Sequence, residues 1–230
     1  MDMQFGVMLR GLFDWDDDMT VRFEELMEQA RLIDKLGYDC ITKGSHFSTY
    51  PHQEMTQIPF LCRVMSEAPN VRLNAGIVLM ALHNPMEVAD YFATMDLMSG
   101  GRMIFGCALG YRDVEFKAFG VKKGTGVRRF EENLTAVRRL WTEEKVSMKG
   151  STFELDEARI SVPLQQDPHP PIWIGANADK AIQRAARMGD CWYLNPHQKI
   201  ETLLRQIDVY QAELDRVGKP FPTELPIRRE

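Results

Sequence analysis

The stretch Val71–Gly110, VRLNAGIVLMALHNPMEVADYFATMDLMSGGRMIFGCALG, holds a complete strand–helix–strand unit. Val71–Met80 is a long, nearly unbroken apolar run. Such continuity belongs to a strand covered on both faces, because a half-solvated strand alternates apolar and polar residues. Asn84-Pro85-Met86-Glu87 then opens a helix: asparagine caps it, proline takes the first helical position, and glutamate follows three residues after the cap. The helix ends near Met98, and Gly100 stops it. Met103–Leu109 is a second apolar run of strand length. Two strands joined by such a helix lie parallel, with a right-handed crossover.

The same alternation extends in both directions. Upstream, Gln4–Leu9 and Tyr38–Thr42 read as strands. Between them a helix runs from a cap at Thr20 through Leu36, with Phe23, Leu26, Met27, Ala30 and Ile33 on one face and Gly37 past its end. A further helix falls within Thr56–Ala68. Downstream come an amphipathic helix over Gly126–Trp141, a strand at Pro171–Gly175, a helix over Asn177–Met188, a strand at Cys191–Leu194 and a helix over Lys199–Val217. Glu224–Arg228 starts a seventh run. One segment departs from the pattern. Within an insertion at about residues 143–169, Val146–Val162 has β-rich flanks around a turn at Lys149-Gly150 and reads as a hairpin.

Repeated strand–helix units allow an open doubly wound sheet or a closed (β/α)8 barrel. Met8–Asp18, MLRGLFDWDDD, follows the first strand and carries neither a dinucleotide-binding glycine pattern nor a P-loop, which favours the barrel. A barrel needs ~250 residues. The 230 here reach only strand seven, so the expectation is a single (β/α)8 TIM barrel domain over 1–230, incomplete at its C-terminus, with about seven of eight strands.

The formal net charge is -5 and no basic block stands out, which argues against nucleic acid as a partner. The apolar runs are too short for a membrane span, and the first residues hold no signal-peptide core, so the cytoplasm is the expected compartment. Cys40, Cys62, Cys107 and Cys191 lack CxxC spacing and read as small hydrophobes. The histidines show no metal-ligand spacing, and no metal is expected.

In a parallel barrel the chemistry sits at the C-terminal strand ends. Here these are Arg10-Gly11, Lys43-Gly44-Ser45-His46, the stretch toward Met80, Leu109-Gly110-Tyr111-Arg112, Gly175-Ala176-Asn177 and Asn195-Pro196-His197. A glycine there lets a ligand lie against the backbone. At Gly175-Ala176-Asn177-Ala178 the strand runs directly into a helix start, whose free N–H groups and dipole suit a phosphate. On residues alone, a tight turn is the better reason for Gly110, and Gly175 stands evenly between turn and ligand. His46 is the sharpest candidate acid or base, against a plainer role in orienting its loop. Arg128-Arg129 fit a solvated helix face better than a phosphate, and Tyr111 and Trp192 fit packing better than the wall of a ring site.

Three segments, LGYDCITKGSHF (Leu36–Phe47), the stretch from Asn74 to Val121, and PHPPIWIGANADKAIQRAARMGDCWY (Pro168–Tyr193), resemble the luciferase-like monooxygenase family. That family includes bacterial luciferase, flavin-dependent alkane and alkanesulfonate monooxygenases, and deazaflavin-dependent reductases and dehydrogenases. The resemblance implies a (β/α)8 barrel with an insertion before strand five, and a flavin or deazaflavin at the strand ends. Carried over by position, Asn74 through Ile77, including Gly76, would lie beside the ring, with Gly76–Ile77 the candidate for a non-prolyl cis peptide. Leu109 and Gly110, with Tyr111 next to them, match positions near the phosphate-bearing tail; Gly175, Ala176 and Asn177 match the phosphate loop; His46 matches the active-site histidine. Leucine at 109 where luciferase has arginine, Ser45 where an acid is common and Lys43 at a typically apolar position depart from the pattern. They weaken the case for aldehyde-type luciferase chemistry.

The leading reading is a two-component monooxygenase that takes reduced FMN from a separate flavin reductase and oxygenates a small organic substrate with O2. In it, His46 serves as acid or base. The alternative is hydride transfer with the deazaflavin coenzyme F-420. A third reading is a flavin-binding protein without turnover. The family's habit implies a homodimer or larger assembly.

Overall fold

The computed structural model describes residues 3–9, 11–194 and 197–228. In chain order the elements are β1 (Gly6–Leu9), β2 (Phe13–Asp14), α1 (Met19–Lys35), β3 (Cys40–Lys43), β4 (His52–Gln53), α2 (Gln57–Glu67), β5 (Arg72–Leu79), α3 (Pro85–Ser99), β6 (Met103–Ala108), α4 (Asp113–Ala118), α5 (Gly126–Thr142), β7 (Val146–Lys149), β8 (Glu154–Ala158), β9 (Ile172–Gly175), α6 (Asp179–Met188), β10 (Cys191–Tyr193) and α7 (Ile200–Val217).

Six strands form one parallel sheet in the order β1-β3-β5-β6-β9-β10, which is their order along the chain. The expected seventh run meets it through one parallel bridge, Leu194 to Ile227. Among the described residues the sheet therefore has two ends, β1 and this bridge, and no strand joins them into a closed barrel. The strand ends expected at Arg10 and Asn195-Pro196 lie outside the described residues.

Side chains alternate between the two faces of this sheet. Ile41, Leu73, Phe105, Cys107, Ile172, Ile174 and Trp192 pack into the main core with the helices. Ile104, Trp173 and Cys191 form a separate small cluster, with Cys40 and Tyr193 against it. Both faces are thus covered by apolar side chains, which is why these strands read as continuous runs.

The α3 start matches its sequence signals: Asn84 Oδ1 accepts from the Met86 N–H at 2.8 Å, and Pro85 is the first helical residue. Gly100 ends the helix at φ +66°, a left-handed conformation that a side chain would strain. The α1 cap differs from expectation. Asp18, not Thr20, has the extended cap backbone, and its carboxylate accepts from the Thr20 and Val21 N–H groups. The inserted hairpin is present as antiparallel β7–β8. Two elements escaped the sequence reading: the β2–β4 ribbon and the short helix α4. Each is too short to show a hydrophobic period.

Candidate active site

Four neighbouring strand ends converge. β3 ends at Lys43 and is followed by Gly44, where an added Cβ would lie 3.1 Å from Met8 Cε and 3.8 Å from the Gly76 carbonyl oxygen. In β5 the Gly76–Ile77 peptide is cis, and the register against β6 shifts between Ala75 and Val78. Ile77 faces β9: a Cβ on Gly175 would stand 3.2 Å from Ile77 Cδ1 and 3.5 Å from Ala108 Cβ. Ile77, Ala108 and Gly175 thus form a small apolar floor at the strand ends. Gly175 is not in the left-handed region, so no backbone conformation requires glycine there, and an added Cβ would be tight only against Ile77 Cδ1.

His46 follows the end of β3, at the same end of the parallel sheet. Its Nδ1 lies 3.0 Å from Oε1 of Glu115, a carboxylate with no solvent exposure on α4. The same oxygen accepts from the Phe47 N–H at 3.0 Å and from the Arg112 guanidinium at 3.4 Å. Arg112 also donates to the carbonyls of Phe47 and Ser48, fastening the loop that carries the histidine. Tyr111 is exposed and stands edge-on to His46, ring centroids 5.9 Å apart. Phe47, His83 and Phe119 form an aromatic trio next to it, and burial pushes the His83 imidazole below its usual pKa.

Other candidates are placed differently. Asn74 is fully buried; its Nδ2 donates to Thr42 Oγ1 at 3.2 Å, and its Oδ1 has no partner. Leu109 packs toward Gly126. Gly110 has φ +86°, a left-handed backbone conformation that by itself requires glycine. The Ala176 carbonyl accepts from Trp192 Nε1 and the Asn177 carbonyl from Gln206 Nε2. Helix α6 begins at Asp179 rather than Asn177, with Ala178 at its cap. Asp179 itself sits in the first turn and is paired with Arg205 at 2.8 Å, so a fixed carboxylate already meets the helix dipole there. Trp192 is core. Arg128 pairs with Glu132, whereas Arg129 is not on a solvated face: it donates to the Ala81 carbonyl at 2.7 Å and braces the turn after β5.

The sequence reading missed Glu115 as the partner of His46 and Arg112 as the clamp on its loop. Glu115 lies 69 positions from His46, and only the packing of α4 against the loop after β3 brings them together. Lys43 also has a partner that no spacing announces: its Nζ is buried against Glu54 Oε1 at 2.7 Å. The cysteines are free, and burial drives the thiol of Cys40 up to about 11 and those of Cys107 and Cys191 higher still. Among the described residues no group of three or more His, Cys, Asp or Glu side chains could hold a metal, and no helix is long and apolar enough to cross a membrane.

Parallel α/β sheets place ligands at the carboxyl ends of their strands, the end of the sheet that carries His46, Ile77 and Gly175. The chain belongs to the luciferase-like monooxygenase family, whose model matches residues 3–227. It is 28% identical over 173 residues to the F420-dependent glucose-6-phosphate dehydrogenase of Amycolatopsis mediterranei (strain U-32), covering 72% of this chain and 51% of that one. It is 24% identical over 202 residues to the FMNH(2)-dependent dimethylsulfone monooxygenase of Pseudomonas putida, covering 86% and 54%. The crystal structure of monooxygenase RslO1 from Streptomyces bottropensis superposes with a TM-score of 0.88 at 27% identity, over 99% of this chain and 70% of that one. The chain spans about half the length of the curated relatives it matches.

Proposed function

We propose that this chain supplies the cofactor-binding strand ends of a flavin-dependent monooxygenase that consumes reduced FMN and O2, places one oxygen atom on a small organic substrate and releases the other as water. A separate flavin reductase would supply the reduced FMN. The observation that carries this reading is the convergence of Ile77, Ala108 and Gly175 into an apolar floor at the end of the sheet where the loop after β3 carries the His46–Glu115 pair. That floor fits one face of a planar ring, and the Gly175-Ala176-Asn177 main chain would meet its anionic tail. When bound, a reduced flavin activates oxygen, which no protein side chain does. The chain's own residues bind the ring, exclude water from it and, at His46, hold or move a proton.

A second reading is hydride transfer with F420, favoured by the likeness to the F420-dependent dehydrogenase. Titration with FMN and with F420, each oxidised and reduced, followed by turnover with and without oxygen, separates the two. Oxygen-dependent product with reduced FMN is the expected result. Product formed anaerobically with F420 would establish the second reading. Binding of neither cofactor overturns both.

A further inference from the structure

We propose that Glu115 is a positioning residue: it holds His46 in the tautomer with the proton on Nδ1 and leaves the Nε2 lone pair for the reacting partner. This deepens the reading above, since it rests on His46 as the group that holds or moves the proton.

The assignment follows from hydrogen-bond bookkeeping. The Phe47 N–H and the Arg112 guanidinium can only donate, and both address Oε1 of Glu115. That oxygen is therefore an acceptor, whatever the protonation of Oε2. His46 Nδ1 lies 3.0 Å from the same atom, so Nδ1 carries the hydrogen, and a neutral imidazole then has its lone pair on Nε2. The pair is also graded in exposure: the Glu115 side chain is fully buried and the His46 side chain is 30% exposed. The ring is thus anchored at one nitrogen, with part of its surface open. The environment of Glu115 is arranged around a single oxygen, for Oε2 is buried without a partner. Arg112 strengthens the arrangement by binding Glu115 and the two carbonyls of the loop that carries His46. Fixing one imidazole nitrogen by a buried acceptor is the general means of choosing which nitrogen does the chemistry.

The test is nitrogen NMR of histidine-labelled protein at a pH where the ring is neutral, with the His46 signals assigned by their loss in His46→Gln. The expected spectrum shows Nδ1 in the protonated range and Nε2 in the unprotonated range. Glu115→Gln can keep its side-chain oxygen facing Phe47 and Arg112, so it retains that tautomer. Glu115→Ala removes the acceptor, and the two nitrogen shifts move toward each other as the tautomers mix. A wild-type ring protonated on Nε2, or an Nδ1-protonated ring that survives Glu115→Ala unchanged, overturns the proposal. Should the alanine variant fail to fold, the wild-type tautomer and its retention in Glu115→Gln carry the decision. None of these spectra needs cofactor or turnover, so the result stands apart from the fate of the flavin reading.

Discussion

Replacing Gly175 by alanine separates a seat kept open for a ligand from a glycine needed by the fold. The added methyl would approach Ile77 Cδ1 to 3.2 Å, Ala108 Cβ to 3.5 Å and Ile77 Cγ2 to 3.8 Å. Only the first contact is tight, and it meets the movable end of a side chain. The cost to stability is therefore ~1 kcal/mol or less, which for a chain of this size lowers Tm by no more than ~2–4 °C. Gly106→Ala is the contrasting control. Its Cβ would lie 2.6 Å from the Ala75 carbonyl oxygen and 3.1 Å from Gly76 Cα, where backbone must move. That substitution costs ~1–3 kcal/mol and lowers Tm by ~2–12 °C. For binding the order reverses in meaning. The Gly175 methyl stands on the floor where the ring would lie, and a planar ligand lifted off it loses ~1.4–2.8 kcal/mol, a tenfold to hundredfold rise in Kd. Thermal unfolding, with FMN and F420 fluorescence titrations on the same samples, measures both quantities. A Gly175→Ala protein that binds as tightly as wild type would refute the seat. A Tm loss as large as that of Gly106→Ala would show that the position serves packing instead.

Two further outcomes concern stability alone. Lys43 and Glu54 are both nearly fully buried at 2.7 Å, so Lys43→Met strands a carboxylate and should cost ~3–5 kcal/mol in urea unfolding. Lys43→Met with Glu54→Leu should recover most of that loss, and a double variant as unstable as the single one would contradict the pairing. Hydrogen bonds from Arg216 and Arg187 hold the Glu213 carboxyl down at about 2, from an ordinary value of 4.5. A depressed carboxyl stabilises the fold above its unfolded pKa, and that contribution drains away as pH falls from about 4.5 toward about 2. Glu213→Gln should thus be less stable than wild type at neutral pH, and the difference should close on acidification through that window; a constant gap would refute the ion-pair origin.

The strand and helix sequence was legible because each element carries its own signal. Continuous apolar runs marked β5 and β6, Asn84-Pro85 marked the start of α3, and Gly100 marked its end, left-handed in the structure. The chain order of the strands became their order in the sheet, as right-handed crossovers between parallel neighbours require. His46 and Gly175 could be found as candidates because strand ends are where such sheets bind ligands.

What the linear chain could not hold was the company those residues keep. Asn74 is buried against Thr42 because the pleat assigns alternate residues to opposite faces, and register fixes which face each meets. The pairs His46–Glu115 and Lys43–Glu54 exist only once α4 and the loop around β4 have packed against the end of β3. Local propensity is a property of neighbours in sequence. A buried carboxylate finding its histidine is a property of neighbours in space, and folding alone makes them neighbours.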